Sequence, residues 1–331
     1  MNPGAFIAST AESLFANRVH IFVMPAVATY FANQALGLPL PFEYYLMICL
    51  TTAWGYVYNM QTDADEDSVN YRGYRVFGRH RIATILAVYL SFFIAMVLAA
   101  RAGWIFIVYG FLVNLLLSFY SRPLPLRWNG RRLRVKEIPF LKNIYCALCW
   151  SVALIFTPYV YLSRSVDGAA FVVILICFGL NYVVELLWDL RDTRGDWQAG
   201  FRTVPLVVGE TMTFWILRTV HVLTCCLAIW KVEAGGLPPG FLVAVIHLPV
   251  GLLFIQWYRL LPDKEWASHF YILYAGVLLS SGAIWNLEHP RNSAHLLSAL
   301  QVVTPWWLSC RETRGGDRIY ITASSAGGEN R

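Results

Sequence analysis

Two short stretches of this chain carry carboxylates at spacings that suit cation binding. In "NYVVELLWDLRDTRGDWQAGFRTVPLVVG", residues 181–209, Glu185, Asp189, Asp192 and Asp196 fall at i, i+4, i+7 and i+11. On an α-helix those offsets form one stripe. In "YNMQTDADEDSVNYRGYRV", residues 58–76, Asn59, Asp63 and Asp67 share a face at i, i+4 and i+8, while Asp65 and Glu66 point elsewhere. Each stretch has four acidic residues, so the two hold eight of the chain's twenty. Like charges stacked along a helix repel one another, and beside a bilayer they cost more. Two facing stripes of this kind call for cations between them. Asp, Glu and an Asn amide are hard oxygen ligands, which favour Mg²⁺ over zinc. Mg²⁺ usually keeps waters and takes one or two carboxylates plus substrate phosphates. The donor set therefore implies a phosphorylated substrate as the missing ligand. Between the stretches, residues 120–143 set seven cations against the single Glu137. Cations beside a metal-bound diphosphate neutralise charge as that group departs.

Blander readings compete with each motif. Acidic residues at a helix end are often simply solvated, although two such ends at matching places argue against that for both. The basic stretch also reads as an orientation anchor or a lipid head-group patch. Asn181 and Glu185 lie deeper and could hydrogen-bond a neighbouring helix. His221 and His247 read as packed polar groups. Cys146 and Cys149 form a C-x-x-C inside an apolar run with no second pair, which reads as packing.

The elements that must position these residues are membrane helices. The chain has 331 residues, 57% hydrophobic and 14% charged, against about 25% charged in an ordinary soluble domain. Apolar runs long enough to cross a bilayer occur near 19–37, 42–60, 83–100, 103–120, 139–161, 168–188, 213–230, 237–257 and 267–285. A shorter tenth run, 293–309, reads as interfacial. No cleavable signal peptide is expected, since the first 17 residues include Glu12 and lack a basic start with a long apolar core. Counting from a cytosolic N-terminus, the loops after spans two, four, six and eight are rich in Arg and Lys, including Arg72, Arg131, Arg194 and Arg259. The opposite loops hold only Arg101, Arg164 and Lys231. This asymmetry predicts that both acidic motifs lie on the cytosolic face. It also accounts for the net charge of +6, so nucleic acid is not an expected partner. The expected fold is all-α and polytopic, about nine transmembrane helices around a central apolar cavity.

The paired motifs on a nine-span frame resemble the UbiA superfamily of intramembrane prenyltransferases. Asn59, Asp63 and Asp67 match the N-x-x-x-D-x-x-x-D spacing of its first motif. Asp189, Asp192 and Asp196, followed by Gly200, Arg202, Thr203, Pro205 and Gly209, match its second motif and the G-x-[RK]-T-x-P-x-x-x-G tail. "YSRPLPLR" and "KN" resemble the stretch around the family's fourth and fifth spans. The likeness runs from about residue 15 to 285 and implies a UbiA-like domain over 17–288. A short segment at 1–16 would precede it, and an interfacial segment with a disordered tail at 289–331 would follow. Carried to matching positions, the family's roles place one Mg²⁺ at Asn59, Asp63 and Asp67. They place a second at Asp192 and Asp196, with Asp189 and Glu185 in support. The catalytic set would be Asp63, Asp67, Asp192 and Asp196, with Arg127, Lys136, Lys142 and Arg202 as diphosphate partners. The substrate would be an isoprenoid diphosphate, and an aromatic or other small molecule the acceptor.

The chain also departs from the pattern. Met60 stands where many members have a second acidic residue, and "NYRGYRV" replaces N-x-P-x-R-P with both prolines gone. Such divergence suits specialised terpenoid or meroterpenoid metabolism over lipoquinone synthesis. Three functions fit the residues: a Mg²⁺-dependent prenyltransferase, a terpene cyclase with the same ionisation machinery and no acceptor, and a transporter or scaffold that binds ions without chemistry. Transporter ion sites usually sit at broken helices near the bilayer centre, whereas these carboxylates cluster at helix ends, which favours chemistry.

Overall fold

The structure is a computed structural model, and it describes residues 19–62, 81–120, 122, 127–128, 131–132, 134–138, 140–262 and 264–288. Asp63, Asp65, Glu66 and Asp67 of the first motif lie outside the described residues, as do the segments 1–16 and 289–331. The described part belongs to one compact unit, Met1–Arg291.

Helices follow one another along it: α1 (Val19–Leu36), α2 (Phe42–Thr62), α3 (Arg81–Ala100), α4 (Trp104–Ser118), α5 (Leu141–Tyr161) and α6 (Gly168–Gln198). A short α7 (Val204–Val208) leads into α8 (Glu210–Glu233), α9 (Val243–Leu260) and α10 (Glu265–Glu288). The nine apolar runs thus become nine long helices among the described residues. Five segments, Leu141–Tyr161, Gly168–Gln198, Glu210–Glu233, Pro239–Leu260 and Glu265–Leu287, are long and apolar enough to cross a membrane, and Ile85–Ala100 and Trp104–Leu116 are shorter apolar helices. The protein is an all-α, multi-pass membrane protein. Its one departure from helix among the described residues is a two-residue antiparallel ladder, Arg127–Trp128 against Arg131–Arg132, between α4 and α5.

Packing follows the inverted logic of a bilayer. Leu86, Leu90 and Phe93 of α3, with Ile105, Phe111 and Leu112 of α4, stay exposed, as side chains facing hydrocarbon should. One buried cluster, including Val183, Leu187, Phe214, Leu217, Ile255 and Tyr258, ties α6 to α8 and α9. Another joins α2, α3 and α4 through Tyr44, Met47, Ala95, Ala99 and Phe106. Small residues allow the closest approaches, as expected where lipid offers no hydrophobic drive. A Cβ on Gly179 of α6 would lie 1.9 Å from Thr224 Oγ1 of α8.

The second motif needs a helix that outruns the membrane, and α6 supplies it. The Asp167 carboxylate caps its start by accepting from Ala170 N at 2.8 Å. At 31 residues it is about 46 Å long at 1.5 Å per residue, against about 30 Å of hydrocarbon. Its last turns therefore carry the acidic stripe past the apolar run read at 168–188 without a break.

Candidate active site

The stripe on α6 does not face water. Glu185, Asp189 and Asp196 are buried, Asp189 completely. Three carboxylates cannot be buried side by side without compensation, and α5 provides much of it. Lys142 Nζ donates to Asp189 Oδ1 at 2.6 Å and lies 3.8 Å from Asp196 Oδ2. Asn143 Nδ2 donates to the other oxygen, Asp189 Oδ2, at 2.9 Å. Both Asp189 oxygens are thus held by the first turn of α5. Asp192 is engaged differently. Arg191 grips it with two parallel bonds of 2.7 and 2.6 Å, the fork geometry guanidinium groups favour. The Arg191 guanidinium also sits over the Trp188 ring, 5.7 Å from its centroid.

The chain after α6 closes one side of the site, and its glycines explain the motif's tail. Gly200 has φ +76°, Gly200 N donates to Trp197 O at 3.1 Å, and Phe201 N donates to Asp196 O at 2.8 Å. This is a Schellman-type stop, which calls for glycine at the left-handed position. It turns Phe201 back into a buried place. Lys136 Nζ stands 5.1 Å from the Phe201 ring centroid and the Arg134 guanidinium 5.3 Å from it. Arg134 is in turn held by Glu137 at 2.7 Å. Pro205 occupies the first turn of α7, where its missing N–H costs nothing. Gly209, at φ +84°, passes the chain into α8.

These groups rim a cavity of about 300 Å³. Lys136, Lys142, Asp189, Asp192 and Asp196 stand at one end of it, with Asn59 of α2 and Glu185 also on its wall. The remainder is largely apolar and aromatic, with a few polar groups such as Thr51, Asn114 and Thr157. Tyr56 stacks on Trp150 at 6.2 Å and meets Trp188 edge-on at 6.4 Å. Tyr120 also lines the cavity, and loss of water contact pushes its phenol up, so it stays protonated.

The structure therefore brings together Asn59, Lys136, Lys142, Glu185, Asp189, Asp192 and Asp196. Arg202 is exposed and does not line the cavity. The Arg127 backbone lies in the short ladder, its side chain beyond the described ones, and Asp63 and Asp67 lie outside the described residues. The sequence reading missed Asn143, Phe201 and the Arg191–Asp192 pair. A single signal pointed to Asn143, its place beside Lys142 in "KN". Cys146 and Cys149 line the cavity as free thiols. Among the described residues the α6 carboxylates do not converge into a ligand cluster by themselves. The donor set is nonetheless all oxygen, and the buried Asn143 Oδ1 has no hydrogen-bond partner. Such a set fits a hard divalent ion completed by further oxygens.

Comparison with known proteins bears on the fold and the family. Residues 22–285 match the family model of the UbiA prenyltransferase family. The chain is 27% identical over 206 residues to the digeranylgeranylglyceryl phosphate synthase of Pyrococcus horikoshii, covering 61% of this chain and 68% of that one. It is 27% identical over 104 residues to the fumagillin beta-trans-bergamotene synthase of Aspergillus fumigatus, covering 29% of this chain and 35% of that one. A solved UbiA homologue from Archaeoglobus fulgidus, bound to GPP and Mg²⁺, superposes with a TM-score of 0.51 at 16% identity, covering 81% of this chain and 99% of that one.

Proposed function

This chain belongs to the UbiA prenyltransferase family, and from that premise we propose that it is a Mg²⁺-dependent intramembrane enzyme of specialised terpenoid metabolism. It ionises an isoprenoid diphosphate and transfers the prenyl group to a small acceptor. The observation that carries the reading is one cavity whose charged end joins Lys142, Asp189, Asp192 and Asp196 and whose remaining wall is largely apolar and aromatic. A diphosphate with a hydrocarbon tail has those same two ends. The solved homologue bound to GPP and Mg²⁺ supports the same ligands. The departures after the first motif support specialised metabolism.

In this reading Asn59, Asp63 and Asp67 hold one Mg²⁺, and Asp192 and Asp196 hold the other. Bound there, the ions neutralise the diphosphate as negative charge builds on it. Asp189 is turned toward Lys142 and Asn143 and acts through them, aiming the ammonium at the diphosphate. Lys136 adds a second cation on the same rim. For Asp192 to hold a metal ion, Arg191 would have to give up part of its grip, since one carboxylate cannot serve both fully. The allylic C–O bond breaks with both electrons going to the diphosphate. The acceptor's electron pair makes the new bond to the prenyl carbon, and the acceptor gives up one proton. Tyr56, Trp150 and Trp188 face the cation with electron-rich rings, which stabilise it without capturing it. The acidic motifs would open on the cytosolic side.

Chelation tests the metal. Purified protein given a prenyl diphosphate and an acceptor should stop releasing inorganic diphosphate in excess chelator and recover on adding Mg²⁺. Undiminished release in chelator would end the two-metal reading. The partial sequence likeness to a bergamotene synthase keeps a second reading in view, in which the cation is captured by its own chain. Product analysis without acceptor separates the two.

A further inference from the structure

A second cavity lies beside the first, and nothing above uses it. It measures about 180 Å³ and is walled by α1, α2, α5, α6, α8, α9 and α10. The two cavities share Ile21, Tyr56, Trp150, Leu154, Glu185 and Trp188 as a common wall. Whatever fills the second therefore reaches the place where the prenyl cation forms.

Its lining has a definite chemistry. Among the described residues, all the lysines and arginines that line either cavity, Lys136, Lys142 and Arg191, are in the first. The second is lined by none of the described ones, and its one carboxylate among them is Glu185 on the shared wall. An anion placed there would be buried without a countercharge and beside a carboxylate, which is prohibitive. Yet the chamber is not pure hydrocarbon. Its wall away from Glu185 includes His247, Tyr271 and Cys225. His247 Nε2 lies 3.4 Å from Tyr271 Oη and its Nδ1 3.4 Å from Tyr274 Oη. Those contacts sit at the long limit for a hydrogen bond, so these groups can turn to a better partner. Asn181, also on this wall, reaches Ser151 Oγ only at 3.4 Å.

His221 fixes the scaffold behind this wall. Its Nε2 donates to the carbonyls of His247 and Leu248 at 3.1 and 3.2 Å. Its ring fills the space over Gly251, where a Cβ would come within 2.3 Å. His221, Cys225 and His247 are close enough to suggest a metal. The His221 nitrogen nearest Cys225 is already a carbonyl donor, however, and both His247 nitrogens face tyrosine hydroxyls. They form a polar wall and not a ligand set.

We propose that this second chamber is the acceptor site, and that the acceptor is an uncharged, largely apolar molecule bearing a hydroxyl or carbonyl oxygen, such as a lipophilic phenol. The inference rests on the prenyl-transfer reading of the first cavity. The oxygen pairs with His247 and Tyr271, and the nucleophilic end lies against the Glu185–Trp188 wall. A prenyl tail suits the chamber less well, because it is hydrocarbon to its end and would leave His247, Tyr271 and Asn181 with only their long 3.4 Å contacts.

A matched pair of fluorescent probes tests this with the full chain in nanodiscs, Mg²⁺ present and geranyl S-thiolodiphosphate as a donor that does not ionise. 1-Naphthol should bind saturably at one site, and 1-hydroxy-2-naphthoate at least tenfold more weakly. Ile176→Trp, which fills the chamber, should weaken 1-naphthol at least tenfold and leave the donor analogue within twofold. His247→Leu should weaken 1-naphthol while leaving naphthalene within twofold, an arm that stands even if the tryptophan variant does not fold. Equal or tighter binding of the carboxylated probe would overturn the proposal. So would an Ile176→Trp variant that spares 1-naphthol and rejects a geranylgeranyl analogue, since the chamber would then hold the donor's tail. Failure of the donor analogue itself to bind would instead overturn the prenyl-transfer reading.

Discussion

Lys142 and Asp189 make the sharpest test of how the charged end is built. If Asp189 acts by aiming Lys142 and not by holding metal, the two residues should behave as one unit. Lys142 Nζ is 2.6 Å from Asp189 and 3.8 Å from Asp196. At about 4 Å and an effective dielectric near 20, one unit charge on another is worth about 4 kcal/mol. Removing one preorganised electrostatic group from a transition state typically costs about 2.7–4 kcal/mol, or roughly 10²–10³ in rate. Lys142→Met should therefore lower diphosphate release about 10²–10³-fold at saturating Mg²⁺ and saturating donor. Asp189→Asn should cost somewhat less, because Asp196 still lies 3.8 Å from the ammonium. In the Lys142→Met background, Asp189→Asn should cost nothing further, within about threefold, whereas Asp192→Asn should still cost its full amount. The assay is a double-mutant cycle on initial rates of diphosphate release, with a Mg²⁺ titration of each variant. A further tenfold loss from Asp189→Asn in that background would refute the argument. So would a Mg²⁺ requirement shifted as far by Asp189→Asn as by Asp192→Asn.

Other expectations can be checked with the same preparation. Asp63→Ala, Asp67→Ala, Asp192→Ala and Asp196→Ala should each remove nearly all turnover while the protein stays folded in the membrane, since like charges stacked on a helix destabilise it. Asp65→Ala should be mild, because at helical register it falls off the Asn59–Asp63–Asp67 face; loss of activity there with Asp63→Ala spared would disprove the register. Gly200→Ala should destabilise by about 1 kcal/mol through its left-handed backbone, read as a lower Tm; an unchanged Tm would contradict the role assigned to that turn. A cysteine introduced at Arg131 should react with an impermeant maleimide only from the cytosolic side, and labelling from the opposite side would reverse the orientation.

Much of this was legible in the sequence because bilayers enforce long apolar runs. The run at 139–161 became Leu141–Tyr161 and that at 103–120 became Trp104–Ser118. The stripe on α6 was legible for a related reason: helical spacing fixes a face regardless of what packs on it. Partners across helices were not legible. Nothing in the spacing said that Lys142 and Asn143 would meet Asp189 across 47 and 46 positions of chain, or that Arg191 would grip its own neighbour. The family resemblance named Arg202 among the diphosphate partners, and spacing gave no sign that the turn at Gly200 would bury Phe201 and leave Arg202 exposed. The second chamber was invisible because its walls come from seven helices, and the histidines that mark its polar side are isolated in sequence.

Purified protein should be given radiolabelled geranyl diphosphate and Mg²⁺, with and without 1-naphthol, and its products and released diphosphate followed together. The account predicts diphosphate release coupled one-to-one to a prenylated naphthol when acceptor is present, and little hydrocarbon or terpene alcohol without it. Rapid formation of a cyclic terpene with no acceptor, or no diphosphate release under any condition, would contradict it.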